Sequence, residues 1–230
     1  MASQPEPASE PRGRLTRDRV LRAAIDLADA HGLEALTMRR LAQELGVEAM
    51  SLYYYVASKD EILNAIVDIV EGAIELPSPE ADWKSALRRT ALSAHDVFER
   101  HPWAASLTLS ATGSRPARWR YMDAIYGCLR RAGFPADRAD HAYHALESHI
   151  AGFTLWSAQL QVDAEELREL ANAFLGSISG DDYPYLVEHV HQHLRERDPG
   201  DEGSFAFGLD LLLDGLERIR DRIDSGGGGD

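Results

Sequence analysis

The 230-residue chain has a single cysteine, Cys128, which excludes an internal disulfide framework and a zinc site built on several thiolates. No stretch approaches the roughly eighteen apolar residues of a membrane-spanning helix. The opening MASQPEPASEPR lacks the apolar centre of a secretory leader. Positive charge is also scarce: 24 Lys and Arg face 38 Asp and Glu, for a net charge of -14. A nucleic-acid-binding coat over the whole surface is therefore excluded. No convincing segment alternates apolar and polar residues with period two, so no sheet is expected. What is present is an ordinary 44% apolar share, enough for a real core. The expectation is a soluble, cytoplasmic protein.

The acidic excess is uneven. Residues 1–59 hold eight basic and eight acidic side chains, whereas the remainder holds 16 basic and 30 acidic ones. Acid in the second part would repel a polyanion, so only the first part is suited to face one.

Helical periodicity recurs almost everywhere. Residues 1–13 are rich in Pro, Ser and Glu and read as a disordered tail. From Thr16, the apolar positions Val20, Leu21, Ala24, Leu27 and Ala28 repeat at helical spacing up to Gly32, a natural stop. Thr37 caps a second helix that Gly46 ends, and a short third helix covers about 49–55. Ser58-Lys59-Asp60-Glu61 is a capping box, in which Ser and Glu three apart satisfy free backbone donors. It opens a helix running towards Pro77. Beyond Pro77 and Pro79, helical patterns occupy about 82–100, 116–132, 136–161, 164–178, 184–196 and 204–223. Asp163 and Glu166 repeat the capping-box spacing. The chain reads as all-α.

The segment MRRLAQELGVEAMSLYYY, residues 38–55, carries the strongest signal. Ala42 lets two helices approach, and Gly46 four residues later supplies the positive φ of a tight turn. Leu41, Leu45, Val47 and Leu52 pin the pair to the first helix. Glu48, Ala49, Met50, Ser51, Tyr53 and Tyr55 are then presented by the second helix of a helix-turn-helix to a major groove.

The longer stretch LTMRRLAQELGVEAMSLYYYVASKDEIL, residues 36–63, resembles the DNA-binding signature of the TetR family of bacterial transcriptional regulators. FAFGLDLLLDGLERI, residues 205–219, resembles the last helix of its tetracycline-repressor-type subgroup. The resemblance implies a tail over 1–13, a helix-turn-helix domain over 14–60 and a connecting helix over 61–76. It further implies a ligand-binding and dimerisation domain over 77–224, followed by a flexible tail over 225–230.

Roles follow from matching positions. The resemblance places Thr37, Tyr53 and Lys59 on phosphates, Lys59 being helped by free N–H groups at a helix start. It places Arg39 on base edges, where a guanidinium takes guanine bidentately. Glu48, Ala49, Met50, Ser51 and Tyr55 face the bases, while Tyr54 is expected in the small domain's core. Arg12, Arg14, Arg17 and Arg19 read as a solvated run rather than a minor-groove arm.

The second domain reads as a receptor. Trp119, Met122 and Tyr126 share one stripe and His149, Phe153 and Trp156 another. With Phe98 and Trp103 they would line an apolar pocket with a few polar groups, as small-molecule sites are lined. The resemblance adds Thr90 and Ala94, small here, and a loop, Ala111-Thr112-Gly113-Ser114-Arg115-Pro116, whose Arg115 offers a polar edge. The tetracycline repressor has a metal-binding histidine where Ala111 stands, and Gln159, Leu160 and Gln161 supply no acid, so a magnesium–tetracycline chelate is not expected. The groups His141, His144 and His149, and His189, His191 and His193, lack a visible third ligand and are read as solvated faces rather than metal sites, except that His149 is expected to face the pocket as a ligand donor; no metal and no cofactor are expected.

The last helix carries Phe205, Leu209, Leu212, Leu213, Leu216, Ile219 and Ile223 on one stripe, with Phe207 and Leu211 starting another. A helix apolar on more than one face needs more than its own subunit to cover it. Gly208 and Gly215 are expected to admit a partner helix, and Cys128 to be buried. The expectation is a ligand-responsive DNA-binding transcriptional repressor. It would bind a palindromic double-stranded operator as a homodimer, and a small, largely apolar or aromatic effector would release it. The alternatives are an all-α small-molecule carrier or enzyme on the same fold without operator binding, and a constitutive DNA-binding protein without an effector.

Overall fold

A computed structural model describes residues 14–110, 113–158, 164–194 and 203–226. Among these, every regular element is a helix: α1 (Arg17–Ala35), α2 (Met38–Leu45), α3 (Ala49–Leu52), α4 (Lys59–Glu71), α5 (Trp83–Arg100), α6 (Pro102–Ser110), α7 (Pro116–Arg131), α8 (Ala136–Ala158), α9 (Ala164–Ser177), α10 (Pro184–His193) and α11 (Gly203–Gly226). No described helix is long and apolar enough to cross a membrane.

Local chemistry sets the boundaries. Thr16, Thr37 and Ser58 accept backbone N–H bonds from Arg19, Arg40 and Glu61 and so cap α1, α2 and α4. Gly32, at φ 75°, breaks the helical path inside α1 where the sequence places a stop. Gly46 takes the left-handed conformation at φ 67°, and the Val47 and Gly46 N–H groups reach back to the Ala42 and Gln43 carbonyls at 3.0 and 3.1 Å. That pair of bonds satisfies the end of α2 while turning the chain into α3.

No periodicity announces α6. Its PWAASLTLS run scatters hydroxyl and apolar side chains with no amphipathic period, yet Trp103, Ala104 and Ala105 are buried. The predicted ends at 161 and 196 fall beyond the described parts of α8 and α10, as do Arg12, Asp163 and the 159–161 segment.

One apolar core runs through the molecule, from Val20, Leu41, Leu52 and Ile62 to Leu87, Leu129, Leu146 and Leu209. α1 packs on α2 and α4, and α5, α7 and α11 pack against α8. Arg88 grips Asp210 at 2.7 and 3.2 Å, and Lys84 reaches Asp214 and Glu217 at 2.6 and 2.7 Å, fixing α11 along α5. α9 and α10 pack chiefly on each other. Cys128 is buried.

Candidate DNA-reading head and its clamp to the receptor body

The head is built by α1–α3. Leu41, Leu45 and Leu52 point inward and are buried, leaving the opposite surface to solvent. Met50 is 71% exposed and Tyr53 48% exposed. Thr37, Arg39 and Glu48 are exposed, while Ser51 and Lys59 are half-buried. Ala49 and Tyr55 are partly buried against the core. Thr37 uses its hydroxyl as the α2 cap, accepting from Arg40 N–H at 3.2 Å.

Tyr54 departs from its expected place. It is 89% exposed rather than in the core. Leu52 and Val56, four apart and both buried, already fill the space beneath the turn, and the three residues after α3, Tyr53 to Tyr55, continue as a turn that swings Tyr54 outward.

Two arginines of the run, Arg17 and Arg19, fall within α1. Arg17 pairs with Glu61 at 3.0 Å. Glu61 accepts from Ala57 N–H at 2.6 Å as well. That backbone bond, then Arg17, holds the Glu61 carboxyl below the usual carboxylate range.

α4 joins the head to the body, and one face of it is clamped to the start of α7. Asn64, Asp68 and Glu71 fall at i, i+4 and i+7, on one helical stripe. Asn64 Oδ1 accepts from Gly113 N–H at 3.1 Å, and Asp68 Oδ1 accepts from Ala117 N–H at 2.8 Å. Glu71 Oε1 accepts from Arg115 Nη2 at 2.6 Å and from Thr108 of α6 at 3.0 Å. A side chain at Gly113 would collide with Asn64 at 2.7 Å, so glycine there is what lets the loop lie on α4.

The Glu71–Arg115 pair is buried and incompletely engaged. Among the described residues, Glu71 Oε2 and Arg115 Nε have no hydrogen-bond partner. Burial pushes the Glu71 carboxyl up, against the pull of Arg115 and Arg118. The polar chain continues into α8: Arg118 bonds Glu147 and Tyr143, and Tyr121 donates to Glu147 at 2.8 Å. Arg115 is thus committed to α4 rather than left as a free pocket edge. Sequence reasoning missed Asn64, Asp68 and Glu71. Their spacing is visible, but a polar stripe on a helix normally faces water, and the partners lie 37 to 49 residues away.

A second junction links head and body. Asp29 of α1 accepts from Trp103 Nε1 at 2.6 Å and bonds His101 Nδ1 at 2.8 Å. Trp103, expected in a pocket, instead anchors α6 to the head.

The structure does not gather the remaining expected ligand residues on one surface. Thr90, Ala94 and Phe98 are buried along α5, and the Thr90 hydroxyl has no partner among the described residues. His149 and Phe153 join an aromatic group with His95 and Phe205. Met122 is partly buried against the core, and Tyr126 stacks on Tyr143 at 4.8 Å while donating to Asp140. Trp119 and Trp156 are exposed, held on outward faces of α7 and α8. Ala111 lies outside the described residues, and among the described residues no His, Cys, Asp or Glu side chains gather as a metal site.

Gly208 also has another role than expected. A Cβ there would lie 2.6 Å from His149 Cε1 of the same chain, so the space is already filled. Nothing comes within 4 Å of such an atom at Gly215.

A capped helix-turn-helix reader, joined through the clamped α4 and the α1–α6 junction to a larger all-helical body, defines a helix-turn-helix regulator with a receptor domain. Residues 20–66 match the model of the bacterial regulatory proteins of the tetR family, and residues 76–220 match the tetracyclin repressor-like C-terminal domain. The HTH-type transcriptional repressor DrrR1 of Streptomyces coeruleorubidus is 32% identical over 222 residues, covering 92% of this chain and 80% of that protein. The class C tetracycline repressor of Escherichia coli is 30% identical over 212 residues, covering 90% and 93%. The crystal structure of the Streptomyces coelicolor TetR family protein ActR in complex with actinorhodin superposes with a TM-score of 0.73 at 27% identity, covering 90% and 99%. The chain belongs to the TetR family and is a ligand-responsive, DNA-binding transcriptional repressor.

Proposed function

We propose that this repressor binds a palindromic operator as a homodimer and that a small, largely apolar or aromatic effector releases it. Two recognition helices of a dimer meet half-sites about one helical turn, about 34 Å, apart. Thr37, Tyr53 and Lys59 hold phosphates, Arg39 reads a base edge, and Glu48, Ala49, Met50, Ser51 and Tyr55 face the groove. The exposure of Met50 and Tyr53 on the head supports this division, and Tyr54, exposed beside them, joins the DNA-facing surface.

The observation that carries the reading is the clamp on α4. The helix begins at Lys59 beside the reading head and ends at Glu71, locked to the segment entering α7. A ligand that moves α6 or α7 therefore moves α4 and the spacing of the two heads. It shifts the equilibrium only by its differential affinity for the two arrangements. An aromatic effector is supported by ActR, whose complex holds actinorhodin, and by the aromatic groups on α5, α8 and α11. The expected effector residues remain Thr90, Ala94, Phe98, Trp103, Arg115, Trp119, Met122, Tyr126, His149, Phe153 and Trp156. Of these, Trp103 and Arg115 act through α6 and α4 rather than by direct contact.

The dimer is supported by apolar side chains left uncovered on α11, among them Phe207 and Leu211. A groove between α8 and α11, lined by Ala142, Ala145, Leu212, Gly215 and Leu216, suits a second copy related by two-fold symmetry. No catalytic step enters this reading; the matched relatives are regulators and repressors. The test is selection of bound fragments from genomic DNA followed by footprinting. Protection of two inverted half-sites one helical turn apart is expected. A single unpaired site, or no enriched sequence, would overturn it.

A further inference from the structure

Phe205, buried at the start of α11, is stacked on two imidazoles from two other helices. His95 of α5 lies 3.9 Å from its ring at 12°, and His149 of α8 lies 4.8 Å away at 24°. Phe153 meets Phe205 and His95 edge-on at 5.4 and 5.5 Å. His149 Nε2 lies 2.9 Å from the Phe205 carbonyl; a carbonyl only accepts, so Nε2 carries the proton. His149 reaches this position because Gly208 has no side chain. Two histidines therefore fasten the first turn of α11 to α5 and α8.

The setting is hostile to added charge. His95 Nδ1 is buried without a hydrogen-bond partner among the described residues, and burial lowers the His95 pKa. Glu99, 3.4 Å away, and Asp96 pull the other way from the same helix, while His149 reinforces the lowering from α8. From α11 it meets the Phe205 ring, and that helix's Asp210 is already gripped by Arg88.

We propose that the His95–Phe205–His149 stack is an acid-sensitive clasp. With His95 neutral it holds α11 against α5 and α8; a proton added to His95 opens it and loosens the subunit pairing proposed for α8 and α11. The proposal rests on the homodimer reading above. It makes a prediction opposite to that of overall charge. The chain carries a net charge of -14 at neutral pH, so acidification reduces repulsion between subunits and by itself tightens a dimer.

The experiment is a dilution series by sedimentation velocity at about pH 8 and about pH 5.5, a span across which histidines titrate. The clasp predicts pairing weaker by about tenfold at the acid end, the equivalent of one pKa unit. His95→Phe, which keeps a stacking ring and removes the titrating group, loses that dependence; His95→Leu serves if circular dichroism shows the first variant unfolded. Wild-type pairing that is unchanged or tighter in acid overturns the clasp, as does a His95 variant that keeps the wild-type pH dependence. A chain that is monomeric at about pH 8 refutes the dimer reading itself, and the clasp with it.

Discussion

Arg115 Nη2 sits 2.6 Å from Glu71 Oε1 with both side chains sealed from solvent, joining the helix that leaves the DNA-reading head to the segment that enters α7. A buried pair of this kind adds little to stability over a well-packed apolar pair, but breaking it leaves an uncompensated charge. Arg115→Met alone should cost about 3–5 kcal/mol, whereas Glu71→Leu combined with Arg115→Met should recover much of that loss. Urea unfolding of the double-mutant cycle checks this. Simple addition of the two single losses would contradict a coupled pair.

Tyr54 and Leu52 give a paired test of the head. Tyr54 is 89% exposed and Leu52 fully buried. Tyr54→Ala should stay within about 0.5 kcal/mol of wild type in thermal unfolding, while Leu52→Ala should cost about 2–5 kcal/mol. A large loss from Tyr54→Ala would return that ring to the core.

The DNA contacts separate into two kinds. Lys59→Ala and Tyr53→Ala should weaken binding on every sequence, and Lys59→Ala should lower the slope of log affinity against log salt by about one. Arg39→Ala should instead relax preference at one base pair, worth about 1–3 kcal/mol of discrimination. Anisotropy titrations on an operator and its single-base variants distinguish these outcomes. An Arg39 variant with unchanged preference removes that residue from base reading.

Acid should loosen the junction between α1 and α4. The Ala57 N–H and Arg17 hold the Glu61 carboxyl below its unfolded value. The stability it contributes is therefore present above the ordinary carboxylate range and is lost as pH falls through that range to the lowered value. Asp210, held down by Arg88, behaves alike. Glu71 has the opposite sign: burial raises it, so its contribution is complete below the ordinary range and declines as pH rises through the raised value. Melting curves against pH should show a shallower acid loss for Glu61→Gln. An unchanged acid limb would contradict the assignment.

Local chemistry made the head legible in advance. Thr37, Gly46 and Ser58 act within four residues of themselves, so their caps and turns can be read along the chain, and Leu41, Leu45 and Leu52 declare their inward face by spacing. The misplacement of Tyr54 came from asking a tyrosine to fill a space that Leu52 and Val56 occupy. Other features depend on distance in sequence. Glu71 and Arg115 are 44 residues apart, Asp29 and Trp103 are 74 apart, and His149 meets Phe205 only after α9 and α10 have passed. A buried carboxylate looks like a solvated one until its partner is known. α6 escaped notice because its hydroxyl and apolar side chains are scattered, with no polar face to set a period.

Repression as proposed requires a dimer that engages its operator through the head. The most direct measurement is binding of the wild-type chain to the DNA upstream of its own gene, across a salt series with stoichiometry determined. Two chains per site, with affinity falling steeply as salt rises and a competitor of unrelated sequence failing to displace them, is the predicted result. Binding by one chain, or affinity no greater for that DNA than for the competitor, would contradict it.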